Sequence, residues 1–194
     1  MDSELNDLFE RLRQIEEEFE QKIDEQRAAF RYRLDKGRVI FEQSVVAEHI
    51  HIKTGLIRFL RDSTMGYLLL SPFIYILIFP LILLDFSVWL FQVICFSVWG
   101  IERVRRSDYI HLDRRHLAYL NAIEKLNCEY CGYANGLIAY VREVAGRTEQ
   151  YWCPIKHALR IKSPHGRYRR FMDYGDTAEF HMRLEHFRDQ LRRS

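Results

Sequence analysis

Between Met65 and Ile101 the chain reads MGYLLLSPFIYILIFPLILLDFSVWLFQVICFSVWGI, 37 residues with one charged side chain, Asp85. A helix needs about 20 apolar residues to cross a bilayer core. The run is therefore too long for one untilted span and slightly short for two. In a first reading, Met65 to Leu84 enters the bilayer, Asp85 marks a turn near the far interface, and Phe86 to Ile101 returns as a shorter arm. In a second, only the first arm spans and the Trp-rich remainder lies along the surface. A buried core hairpin of a soluble protein ranks below both, because so long an apolar run is rare outside membranes.

Charge placement favours the hairpin. Lys53, Arg58 and Arg61 precede the run and Arg103, Arg105 and Arg106 follow it. Basic residues beside membrane segments tend to stay cytoplasmic, so both termini are expected there, at an inner (cytoplasmic) membrane. Pro72 and Pro80 fit as kinks whose freed carbonyls need protein or water. Asp85 reads as a wet turn residue before it reads as a functional intramembrane carboxylate.

The formal charge of +2 hides a gradient: Glu16, Glu17, Glu18 and Glu20 cluster near an acidic start, while the last 40 residues are basic. The first residues, MDSELNDLFERL, do not form a secretory signal. Insertion then falls to the apolar run itself.

Five segments are expected. Residues 1–36 carry Leu5, Leu8, Leu12, Ile15, Phe19 and Ile23 at three- and four-residue spacing, an acidic amphipathic helix suited to a short coiled coil or to packing on the protein's own helices. Gly37 is its first break. Residues 37–64 form a juxtamembrane helix running unbroken from Val39 into the bilayer, and 65–101 form the hairpin. Residues 102–162 form a cytoplasmic domain, with a helix capped by Ser107 and ended by Asn127 and Cys128. A further helix or a hairpin follows over Gly136 to Thr148. Residues 163–194 form a basic loop and a last helix bearing Phe180, Leu184, Phe187 and Leu191, with Asp176 and Glu179 as a capping box.

The chemistry lies in the cysteines. Cys128 and Cys131 are three positions apart and followed by Gly132, while Cys153 and His157 are four apart with Pro154 between. Cytoplasmic thiols stay reduced, so such a set points to metal before disulfide. Cys128, Cys131, Cys153 and His157 make a complete tetrahedral set for Zn²⁺, with Fe as the alternative. With no open position, that site would be structural. The fold class predicted is thus mostly α: a membrane helical hairpin with a cytoplasmic helical domain containing a zinc-knuckle-like Cys3His site.

Two other chemistries compete. Glu48 with His51 and Asp113 with His116 have the carboxylate-x-x-His spacing of di-iron proteins, and Glu124, Glu143 or Glu149 would complete that second metal site. The same spacing also arises as ordinary solvated helix pairs, as Asp108 with His111 illustrates. Alternatively Cys128 and Cys131 act as a dithiol pair of a thiol oxidoreductase. Arg160, Lys162, Arg167, Arg169 and Arg170, interleaved with Tyr168 and Phe171, form a basic patch. On a tethered chain anionic lipid headgroups rank first as its partner, an acidic protein segment second, and nucleic acid third.

The stretches SPFIYILIFPLILLDF and RSDYIHLDRRHLAYLNAIEKLNCEYCGYANGLIAYVREVAGRTEQYWCPIKHA resemble a family of uncharacterised bacterial inner-membrane proteins sharing CxYCGYxNG and YWCPIKHA motifs. The resemblance covers roughly residues 40 to 160 and implies an inner-membrane location without a known activity. The residues themselves favour a membrane-anchored, zinc-containing scaffold, accessory or assembly factor, engaging the bilayer and, through its first helix, a protein partner or a second copy. The metalloenzyme and the thiol oxidoreductase are the alternatives.

Overall fold

The computed structural model describes residues 2–29, 32–35, 38–62 and 65–193, and most of them are helical. The chain divides into two units: residues 1–60 with 113–125, and residues 61–112 with 126–194. Gly37 and the side chains of Leu5 and Leu8 lie outside the described residues.

The first unit opens with α1 (Asp2–Ala29). Part of its stripe is uncovered: Ile15 and Phe19 are 62% and 64% exposed, while Leu12 and Ile23 are half-buried. The helix ends short of the expected residue 36, and β1 (Tyr32–Asp35) pairs antiparallel with β2 (Arg38–Phe41), Tyr32 opposite Phe41. The continuous helix expected from Val39 is therefore absent. Val39, Ile40 and Phe41 are β-branched and aromatic and suit a pleated strand. The chain becomes helical only in α2 (Gln43–His51), breaks before Gly55, and resumes in α3 (Leu56–Asp62). His49 lies between aromatic rings, 5.1 Å from Phe41 and 5.0 Å from Tyr119.

The helix expected from Ser107 does not form either; that stretch holds two short 3₁₀ turns, Arg106–Asp108 and Arg114–His116. The helix starts instead at α7 (Ala122–Trp152). Asn121 caps it: its Oδ1 accepts from the Ile123 and Glu124 amides at 3.0 and 3.1 Å, and Glu124 Oε2 accepts from the Asn121 amide at 2.8 Å. This reciprocal arrangement is a capping box with Asn in the first place. Asn121→Ala is expected to cost about 0.5–2 kcal/mol and Asn121→Asp far less, as read by thermal unfolding.

The second unit begins with α4 (Met65–Ile76) and α5 (Ile78–Phe91). Pro80 has no amide hydrogen for the Ile76 carbonyl. The helix accordingly loosens at Leu77, where the Leu77 amide bonds back to Ile74 at 3.3 Å. It does not reverse there, nor at Asp85, which sits within α5. A π turn (Gln92–Phe96) and α6 (Ser97–Trp99) continue the same rod. Gly100, at φ 70°, ends it, with the Ile101 amide bonded to the Phe96 carbonyl at 2.9 Å. That is a Schellman stop, the conformation for which glycine is favoured. The hairpin expectation is thus corrected: Leu69–Trp99 is one helical run of 31 residues, containing an 18-residue window of mean hydropathy 2.3, long and apolar enough to cross a membrane.

After Gly100 the chain turns back as an irregular strap, with Ile101 and Val104 buried. Its contacts step down α7 in reverse: the Glu102 carbonyl accepts from Arg147 at 2.6 Å, the Tyr109 carbonyl lies over Gly136 and the His111 carbonyl over Gly132. A Cβ at Gly136 would stand 2.5 Å from the Tyr109 oxygen, and one at Gly132 3.2 Å from the His111 oxygen. Gly132 and Gly136 are one turn apart on α7, and their missing side chains let the strap lie against the helix backbone.

Beyond α7, Ile155 bridges Met172, and α8 (Phe180–Arg193) packs Leu184, Phe187 and Leu191 inward as expected. The expected Asp176–Glu179 box is replaced: Asp176 Oδ1 accepts from the Ala178 amide at 3.1 Å while its other oxygen pairs with Arg183. Glu179 takes φ 51° just before the helix.

Candidate functional site

The apolar rod and α7 run side by side and in the same direction. Tyr75 packs edge-on to Tyr130 at 5.9 Å and its hydroxyl donates to Asn127. Further along, Asp85 receives the Tyr133 hydroxyl at 3.0 Å. Gln92 then meets Tyr140, and Trp99 stacks on Tyr151 at 5.2 Å. The seam follows one face of the rod, where Ser71, Tyr75, Ile78, Leu81, Asp85, Val88, Gln92 and Phe96 are half-buried or buried at three- and four-residue intervals.

The rod's Asp85 and Gln92 are gathered into this seam, while the exposed Ser87 and Ser97 hydroxyls donate back to the rod's own carbonyls, Leu83 and Val93. Arg106, from the strap, forks onto Asp85 with Nε at 3.0 Å from both oxygens and Nη2 at 2.7 Å from one. Such a bidentate pair fixes the strap against the helix. Gln92, 3% exposed, accepts from the Val104 amide at 2.7 Å and donates to the Tyr140 hydroxyl. It stands at the start of the π turn, which re-aims side chains within a helix. Asp85 is therefore a held, structural carboxylate.

The opposite face is apolar and uncovered. Phe73, Phe79, Leu83 and Val98 are 71%, 70%, 66% and 79% exposed, and Ile76, Ile82, Phe86, Trp89 and Ile94 each exceed half. Soluble monomers rarely leave apolar patches beyond about 300–600 Å², and a run of this length exceeds that. Across the seam, α7 carries Glu129, Arg142, Glu143, Arg147 and Glu149 between Leu126 and Trp152. Ionised Arg or Asp costs on the order of 2.5–3.5 kcal/mol each at the middle of an inserted helix. Hydrocarbon thus suits one side of the pair and water the other.

The predicted zinc ligands are not brought together. Cys128 and Cys131 lie near the start of α7 and Cys153 just past its end. At 1.5 Å per residue about 30 Å of helix separates Cys131 from Trp152, so the sulfurs cannot share one ion. The zinc-knuckle reading fails because the segment expected to fold back between the motifs is an unbroken helix. Among the described residues no group of three or more His, Cys, Asp and Glu side chains could hold a metal ion. His157 instead donates its amide to the Tyr168 hydroxyl at 2.6 Å and stacks on that ring. Partial desolvation, with the charge of Glu149 adding to it, pushes the Cys153 thiol up, away from the thiolate that binds metal.

The dithiol reading also meets an obstacle. Residues three apart on a helix hold their Cβ atoms about 5–6 Å apart, wider than the 3.5–4.5 Å of a disulfide. Nor does the second set assemble: Glu48, His51, Asp113 and His116 are exposed in the first unit and form no metal-binding cluster.

Of the predicted basic patch, Arg160, Lys162, Arg169 and Arg170 are exposed. Arg167 is not available. Its guanidinium reaches Glu143 at 2.8 Å and Gln150 at 3.0 Å, beside Arg147 at 3.0 Å from the same Glu143 oxygen. Glu143, Gln150 and Arg167 border an open cleft of about 570 Å³ with Arg170, Phe187 and Gln190. Burial pushes the Glu143 carboxyl up, but hydrogen bonds from Arg167 and Arg147 outweigh it and hold the group below its ordinary 4.5. A carboxylate depressed in the folded state contributes stability that is complete above its unfolded value and lost as pH falls through the folded one. Wild type should accordingly lose stability below about pH 4.5 more steeply than Glu143→Gln, as read by denaturant midpoints at pH 3 to 7.

Sequence reasoning missed the seam residues Tyr133 and Tyr140, the strap and the glycine pair. The Gly132-x-x-x-Gly136 spacing was the available signal. No family model, curated protein or solved structure matches the chain.

Proposed function

We propose that this chain is a membrane-anchored scaffold of the bacterial inner membrane, whose apolar rod binds it to the bilayer while α7, the strap and α8 are presented to the aqueous side. One observation carries this reading: the rod turns Tyr75, Asp85 and Gln92 into a seam and leaves an opposite face that is bare and almost wholly apolar. The exposed arginines and lysine after Ala158 add attraction to anionic headgroups. A role in assembly is favoured over catalysis because the half-buried carboxylates Asp85, Glu143 and Glu149 are each tied into a pair with Arg106, Arg167 or His165.

The test is fractionation of cells expressing the full chain. The protein should remain with the membranes after alkaline carbonate and leave only in detergent. Ile82→Glu with Leu83→Glu should shift most of it to the soluble fraction. Release of the wild type by carbonate would overturn the proposal.

A further inference from the structure

We infer that the Leu69–Trp99 rod lies in the plane of a single bilayer leaflet, with lipid acyl chains as the partner of the face opposite α7, and does not cross the membrane. The inference rests on the membrane reading above and specifies its geometry.

The argument turns on how far the seam extends. Contacts with α7 run from Tyr75 to Trp99, nearly the whole rod, so no stretch long enough to span a bilayer is free of its companion. A crossing rod would carry α7 and the strap into hydrocarbon with it. The strap is irregular backbone, which hydrocarbon does not tolerate facing lipid, and α7 places Glu143 and Arg147 beside the strap. Laid flat, the same arrangement has no conflict. The strap and α7 act as the polar face that an interfacial helix normally carries on its own sequence. Arg103, held to Ser97 at 2.9 Å, and the exposed Arg105 stand beside the end of the rod. They are placed to meet phosphate headgroups of the same leaflet.

Phe73, Leu83 and Ile94 share the bare face and sample its length. Each is replaced by cysteine in the full chain with the native cysteines changed to serine, labelled with a nitroxide, and reconstituted in phosphatidylethanolamine and phosphatidylglycerol vesicles. Depth is read from collision with oxygen against a water-soluble nickel complex. The three labels should report one depth within a few ångströms. A steady gradient would overturn the inference, since Phe73 and Ile94 are about 31 Å apart along a helix, as would a deep Leu83 between two shallow ends. Should the serine background not fold, wild type in sealed vesicles treated with trypsin decides: Arg61 and Arg105 should be cut together or spared together, and cleavage on one flank alone overturns it. A chain that does not sediment with vesicles sinks the membrane reading itself; a bound chain with graded depth sinks only the in-plane geometry.

Discussion

Gly136→Ala is expected to destabilise the second unit by about 3 kcal/mol or more, at the upper end of what an overpacked site costs. The added methyl would meet backbone, the Tyr109 oxygen at 2.5 Å and the Ile110 Cα at 2.9 Å, and backbone held by neighbouring bonds cannot swing aside as a side-chain tip can. The strap would have to lift from α7, loosening the Arg106–Asp85 fork. Gly132→Ala should cost less, because its nearest neighbour is at 3.2 Å. Gly66→Ala, in a helix with nothing within 4 Å, should gain roughly 0.5–1 kcal/mol from helix propensity. Thermal unfolding in one detergent orders the three, and equal effects at Gly66 and Gly136 would contradict the packing.

Gln92→Leu should be nearly as damaging, at about 2–4 kcal/mol. The side chain is 3% exposed and serves two buried partners, the Val104 amide and the Tyr140 hydroxyl. A buried polar group left without a partner costs about 1–3 kcal/mol. Leucine would strand both at once, and the strap would lose its anchor at Val104. Adding Tyr140→Phe removes one stranded group, so the double variant should recover about 1–2 kcal/mol over Gln92→Leu alone. Additive losses in the two variants would show that Gln92 and Tyr140 do not meet.

The elements that sequence reveals here are those whose signal is local. Leu184, Phe187 and Leu191 repeat at helical spacing and do form the buried face of α8, and the apolar run announces itself by length alone. Asp85 misled because its meaning is set 21 residues away, by Arg106; a lone acid in an apolar run looks like a turn until its cation is placed. The cysteine spacing misled in a different way. Cys128, Cys131 and Gly132 suggest a knuckle, yet Gly132 and Gly136 have another use, admitting a returning strap against an unbroken helix. Once α7 continues through both glycines, Cys153 and His157 are carried beyond reach. The strap has no periodicity of its own, so nothing local distinguished it from the helix expected after Ser107.

The account stands most directly on the parallel register of the rod and α7, and crosslinking in native membranes tests it. In a cysteine-free background, Trp99→Cys with Tyr151→Cys and Tyr75→Cys with Tyr130→Cys should each join through a short bifunctional maleimide, while Trp99→Cys with Tyr130→Cys should not. Efficient joining of that last pair, as a rod folded back at Asp85 would give, would contradict the structure described here and the membrane geometry drawn from it.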